Sequence, residues 1–234
     1  MFSAHYLIYL LLAAGVYLSI RAHKLTVAGA LTGGVVGLLV FEGGGYAGLA
    51  MLALFFIAGS AATKLGVHNK ETIGAAEERD GSRTAGQVLA NGGVAALLGL
   101  ACLLIPNYAP LFMLMMAGSL ASALADTLSS ELGMLYGRRT FNVLTLKPDQ
   151  RGQNGVISLE GTLIGIAGAA LIAAVYSLAY GWNINFIWII IAGFAGNLMD
   201  SVLGALLERK GLIGNNLVNF LNTLAAALIC WLLH

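Results

Sequence analysis

Long apolar runs broken by short polar connections set the pattern of this chain. A run of about 17–22 residues is long enough to cross the hydrocarbon core of a bilayer as a helix. The pattern predicts such helices at roughly 5–22, 25–41, 46–63, 86–105, 109–130, 158–180, 185–207 and 214–233. The second and third are joined only by the tetrapeptide that starts at Glu42, Glu-Gly-Gly-Gly. No basic segment precedes the first run; Arg21, His23 and Lys24 follow it, so it does not read as a signal peptide. The expected fold is all-α: a polytopic membrane helix bundle of about eight transmembrane helices, forming one domain over residues 1–234.

Composition agrees with the pattern. Charged residues make up 10% of the chain and hydrophobic ones 59%, whereas a soluble domain is roughly a quarter charged. Frequent glycine (31) and rare proline (3) suit membrane helices that approach closely through small residues. A net charge of +1 without a basic stripe gives no reason to expect nucleic acid. Cys102 and Cys230 lie within apolar runs, with neither a disulfide framework nor zinc-ligand spacing.

The placement of charge adds direction. All twelve Lys and Arg fall in alternate connections: Arg21 and Lys24; Lys64, Lys70, Arg79 and Arg83; Arg138, Arg139, Lys147 and Arg151; Arg209 and Lys210. Positive residues mark cytoplasmic connections. Both termini are therefore expected outside, in a cell (plasma or inner) membrane. In that orientation Lys64, Asp126, Glu131, Asp200 and Glu208 end inward-running helices. Gln87, Asn91, Ser158, Glu160 and the asparagines from 215 onward begin outward-running ones. Polar groups from six helices thus meet at one depth, facing the cytoplasm. A transport path would more naturally distribute them across the membrane.

Candidate chemistry follows from that layer. The stretch AGSLASALADTLSSELG (117–133) carries Asp126 and Glu131, and AGFAGNLMDSVLGALLERKG (192–211) repeats its grammar around Asp200. A carboxylate in a spanning helix is costly unless it faces protein, water or a cation. Asp126 and Asp200 are the best candidates for Mg²⁺, a hard ion that takes one or two carboxylates and accepts water or phosphate for the rest. Glu131 lies about 140° around the helix from Asp126, so both reach one site only if the helix bends or ends between them, or if ions lie between helices. Asn216, Asn219 and Asn222 form a stripe on one helix face, and Asn197 sits one turn before Asp200. Their amides can ligate a cation or donate to phosphate, or serve only as packing bonds.

The segment KPDQRGQNGVISLEGT (147–162) offers turn-forming Gly152 and Gly155 around Asn154, the charge of Arg151, and Ser158 as a helix cap. Those are the parts of a phosphate cradle, although ordinary turns use them too. Lys64, Lys70 and Arg83, near the membrane surface, could neutralise a nucleoside triphosphate or a lipid phosphate, or belong to a solvated loop. His68 reads as a loop residue. No Ser-His-Asp or Cys-His arrangement is legible.

Several segments taken together resemble one membrane family, which contains the plant phytyl-phosphate kinase of the vitamin E pathway and transmembrane protein 19 of animals. They are KLGVHNKETIGAAEERDGSRTAGQVLANGG (64–93), SLASALADTLSSELG (119–133), RGQNGVISLEGT (151–162), GNLMDSVLGALLERKG (196–211) and NNLVNFLNT (215–223). The likeness spans most of 60–225 and is slight in the first two helices. The family loop more often reads Gly-Thr-Asn-Gly-Gly; here Gln153 and Val156 replace the Thr and the last Gly. The resemblance implies phosphoryl transfer from CTP or ATP to an isoprenyl monophosphate. It also implies Asp126 and Asp200 on Mg²⁺, with Glu131 and Glu160 as further ligands or supports. Lys64, Arg83, Arg151 and the loop amides would hold phosphates, and the prenyl tail would lie between apolar helices. A prenol kinase or cytidylyltransferase of the same layout and an ion-coupled transporter remain alternatives, and a homo-oligomer is left open.

Overall fold

The computed structural model describes the backbone of residues 2–73 and 82–234, with side chains over 5–65 and from 82 onward. The side chains of His68, Lys70 and Arg79 lie outside the described residues. Helices dominate: α1 (Phe2–Arg21), α2 (Val27–Ile73), α3 (Ala85–Leu104), α4 (Ala109–Tyr136), α5 (Leu159–Tyr180), α6 (Asn185–Leu206) and α7 (Asn215–Leu233). By length and composition, six helices among the described residues can cross a membrane.

The long α2 is not a single rod. Gly45 has φ 59° and ψ −154°, outside helical geometry and easily reached only by glycine. A Cβ built on Gly29 would lie 2.5 Å from the Arg83 carbonyl oxygen, and one on Gly59 would lie 3.1 Å from Arg83 Nη2. Thirty residues of straight helix would hold those two glycines about 45 Å apart. One arginine touches both, so α2 folds back at Gly45 into two antiparallel limbs. The Glu-Gly-Gly-Gly connection expected as a loop is thus almost wholly helical, with one residue making the turn.

α4 is the central helix. Met116, Ala117, Ser119, Leu120, Ala121, Ser122, Ala123, Leu124 and Ala125 are all fully buried against neighbouring helices. Its small residues let backbones approach: a Cβ on Gly118 would lie 3.0 Å from the Ala226 carbonyl oxygen of α7. α4 also runs without interruption to Tyr136, about two turns past the expected end near 130. The helix therefore neither bends nor ends between Asp126 and Glu131.

Helix starts follow their sequence signals. Thr84 and Gln87 form a reciprocal capping box at α3, and Ser158 Oγ accepts from Gly161 N at 3.1 Å at α5. Between α4 and α5 the structure holds a short ribbon where only loop was expected. β1 (Thr140–Asn142) pairs antiparallel with β2 (Val156–Ser158), with Thr140 opposite Ser158. Its connecting loop folds back onto the bundle through Gly155, whose φ of 78° suits glycine and whose α-carbon packs directly on Ala205 of α6.

Candidate functional site

α1 ends, α2 finishes, α4 and α6 finish, and α3, α5 and α7 begin around one cleft of about 1700 Å³. Its lining includes Lys24, Lys64, Arg83, Asp126, Glu131, Arg151, Asp200 and Glu208. Four cations and four carboxylates therefore share one space.

The centre is built by glycines. On α6, a Cβ on Gly193 would lie 3.0 Å from Ala121 Cβ, and one on Gly196 would lie 2.8 Å from Ser122 Cβ and 2.9 Å from the Asn222 carbonyl oxygen. This close approach of α4 and α6 brings the Asp126 and Asp200 carboxyl groups within hydrogen-bonding reach of each other. Asn222 of α7 donates Nδ2 to Asp200 Oδ1 at 2.7 Å, and its own Oδ1 accepts from Ser122 Oγ at 3.1 Å. Asn219, with its amide nitrogen turned toward the carboxylate, donates to the same Asp200 oxygen at 3.1 Å. Asn197 Oδ1 accepts from Ser129 Oγ at 3.0 Å. The polar side chains thus fix the register of α4, α6 and α7.

Two carboxylates in contact repel unless a proton or a cation sits with them. Hard oxygens from two helices, with open space beside them, fit Mg²⁺ bound partly by water or phosphate. Among the described residues, no group of three or more His, Cys, Asp or Glu could hold a metal ion. The expected four-carboxylate set is therefore divided. Glu131 lines the same cleft five residues after Asp126 on α4, and its charge acts on both Arg83 and Asp126. Glu160 is not brought to the cleft lining: its Oε2 accepts from the Arg138 backbone N–H at 3.3 Å.

Arg83 is half-buried in the cleft wall. Its guanidinium lies 5.6 Å from the centre of the Phe55 ring, a favourable cation–π distance. Burial lowers its pKa from the ordinary value, and the Glu131 charge opposes that shift; arginine remains a cation at any physiological pH. Arg151 is engaged otherwise. It donates to the Met134 carbonyl at 3.1 Å and to the Gly137 carbonyl, closing the C-terminus of α4. Ser158 is buried as the α5 cap.

The 147–162 segment is bolted to α6. Arg209 donates Nη1 and Nη2 to the two Asp149 carboxylate oxygens at 2.6 and 3.3 Å, and Asn154 bonds the Glu208 side chain. Arg209, the Gln150 N–H and Asn142 hold the Asp149 carboxyl well below the usual carboxylate range. Two loop N–H groups that a cradle could have offered are used inside the turn: Gln153 N donates to Gln150 O and Val156 N to Gln153 O. Asn154, Asn91, Asn197 and Asn219 line the cleft, whereas Asn216 does not. It is exposed beside Gly86, and Asn215 takes its place in the lining.

Comparison with known proteins adds a family to this geometry. The model of the integral membrane protein family DUF92 matches residues 10–227. The chain belongs to that family. An uncharacterized membrane protein of Synechocystis sp. is 35% identical over 83% of this chain and 77% of its own length. One of Methanocaldococcus jannaschii is 33% identical over 88% and 84%. Protein VTE6, chloroplastic, of Arabidopsis thaliana is 32% identical over 90% of this chain and 65% of that protein. No solved structure matches. The family match begins at residue 10, so it takes in the first two helices, where the motifs show slight likeness.

This DUF92 protein also brings in residues that motif reading passed over. Ser82, Thr84 and Ser129 line the cleft beside Lys24 of the first basic connection and Gln87 and Glu208 of the polar layer, and Ser122 and Asn222 stand behind Asp200. Asn222 was legible on the asparagine stripe. Ser122 and Ser129 were not, because their partners lie 100 and 68 residues away in the chain.

Proposed function

We propose that this protein is a Mg²⁺-dependent phosphotransferase that moves a phosphoryl group from CTP or ATP to an isoprenyl or phytyl monophosphate. The observation that carries the reading is the Asp126–Asp200 pair in a cleft that also presents Lys24, Lys64 and Arg83. Similarity to Protein VTE6 and the motif resemblance to the phytyl-phosphate kinase family support the same chemistry. The positive connections support a cleft that faces the cytoplasm, where nucleotide is available.

In this reaction an oxygen of the acceptor monophosphate bonds to the terminal phosphorus of the nucleotide. The bond from that phosphorus to the bridging oxygen breaks, and the nucleoside diphosphate leaves with the negative charge. The acceptor oxygen is already ionised, so no strong general base is needed. The difficulty is to hold two polyanions together, which demands charge and positioning. When bound, Mg²⁺ supplies charge neutralisation for the nucleotide phosphates, with Asp126 and Asp200 as its holders. Arg83 and Lys24 face the acceptor, and Lys64 stands at the cleft mouth. Asn222 and Asn219 keep Asp200 aimed.

The test is a reaction of detergent-purified protein with Mg²⁺, CTP or ATP, and phytyl or geranylgeranyl monophosphate. The expected products are the prenyl diphosphate and the nucleoside diphosphate. Release of pyrophosphate would make the reaction nucleotidyl transfer instead. No nucleotide consumption with any isoprenyl phosphate or alcohol overturns the kinase reading.

A further inference from the structure

A second, apolar hollow of about 220 Å³ lies beside the cleft, between α1, the two limbs of α2 and α3. Its walls include Leu12, Val16, Leu52, Phe55 and Phe56. Arg83, Gln87 and Asn91 line both the hollow and the cleft, so they stand at the neck where the two spaces adjoin. From the geometry we propose that the hollow seats the first isoprene units of the chain, with the phosphate head against Arg83. This deepens the function proposed above and rests on it for the identity of the head group.

Charge complementarity selects the occupant. An ordinary membrane lipid could fill apolar space, but a half-buried arginine at the inner end favours an amphiphile with an anionic head. Asn91 adds a second polar requirement. It is 9% exposed, its Nδ2 donates to Gln87 O at 3.0 Å, and its Oδ1 has no hydrogen-bond partner among the described residues. A monophosphate, whose second ionisation lies near pH 6, offers acceptor oxygens to Arg83 and, when singly protonated, a donor to Asn91. A neutral hydrocarbon offers neither.

The α1 wall carries a natural plug position. α1 packs on the first limb of α2 through glycines: a Cβ on Gly34 would lie 2.9 Å from Val16, and one on Gly37 would lie 2.9 Å from Leu12. Gly15 also lines the hollow, yet a Cβ there would meet nothing within 4 Å. A large side chain at Gly15 therefore has room at the edge of the hollow without striking the bundle. Ala53, exposed on the second limb and also lining the hollow, is an independent plug position.

The experiment is photolabelling of full-length purified protein with a C20 isoprenyl monophosphate carrying a diazirine within its first two isoprene units, followed by peptide mapping. Label is expected on α1, α2 and α3 around the hollow. It should fall about tenfold in Gly15→Phe and in Ala53→Leu, the scale of discrimination available to an apolar pocket. It should be unchanged in Leu171→Phe, on an exposed part of α5. Geranylgeranyl monophosphate should compete and geranylgeraniol should not. Label spread evenly around the bundle, or indifferent to both plugs, overturns the tail site; equal competition by the alcohol overturns the role of Arg83 at the neck. Labelling needs no turnover. A labelled hollow in a protein that consumes no nucleotide therefore defeats the kinase reading alone, whereas an active kinase labelled elsewhere defeats the tail site alone.

Discussion

On the α4–α6–α7 side of the cleft, backbones touch through Gly118, Gly193 and Gly196, and Ser122, Asn222 and Asp200 form a continuous chain of hydrogen bonds. On the α1–α2–α3 side, the packing leaves an apolar hollow, and Gly15 faces open space. The first side is arranged for fixed geometry and the second for room. The difference follows from what each would have to hold. A metal–phosphate centre tolerates little displacement of its ligands, whereas an apolar chain needs volume more than direction.

The largest effect expected from breaking this contrast is chemical. Asp126→Asn and Asp200→Asn should each lower phosphoryl transfer by about a thousandfold, the scale set by loss of a preorganised charge. Both variants should stay folded in size-exclusion chromatography, since removing one of two apposed carboxylates relieves repulsion. Loss of the folded peak together with activity would assign the pair a structural role instead. Steric disruption comes next. Gly196→Val should destabilise the bundle by about 1–3 kcal/mol by overpacking, whereas Gly15→Ala should change stability by no more than about 0.5 kcal/mol. Thermal unfolding in one detergent compares them, and equal effects would erase the distinction between the two sides.

Asn222→Ala is expected to act more mildly. It removes the 2.7 Å bond that orients Asp200, so the Mg²⁺ concentration needed for half-maximal rate should rise about tenfold, as for other residues that orient a metal ligand. An unchanged Mg²⁺ requirement would mean that Asp200 is aimed by its backbone alone. The smallest effect belongs to Asp149. Its folded pKa is depressed by Arg209, so the pair stabilises the ribbon above the unfolded carboxylate value of about 3.9. That contribution disappears as pH falls through the lower folded value. Hydrogen exchange across 140–158 should be faster in Asp149→Asn than in the parent at pH 7, and the two should converge in strong acid. A difference that persists in acid would indicate that the ion pair is not its cause.

Much of the architecture was legible because membrane helices declare themselves by length and apolarity. The paired aspartates were legible too, since a carboxylate within an apolar run has few bland explanations. Glu131 shows the limit. Its 140° offset raised the question of a bend, but only the structure showed that α4 runs unbroken and that Glu131 acts on Arg83 as well as on Asp126, which meets Asp200. Glu160 shows another. The family resemblance implied a ligand or support there, yet its carboxylate accepts from the Arg138 N–H just past the end of α4. Asn216 shared a stripe with Asn219 and Asn222, but the entry of α7 into the bundle leaves it exposed.

The amino-acid sequence by itself determined an all-helical membrane protein, a layer of polar residues at one depth, and two aspartates in need of a partner. Those are consequences of local chemistry: apolar length, the cost of burying charge and the position of lysine and arginine. Tertiary structure alone decided that α2 turns back at Gly45, that Arg83 stands between cleft and hollow, and that serines of α4 brace asparagines of α6 and α7. Each depends on contacts between residues far apart in the chain, where packing geometry and not local preference sets which side chains meet.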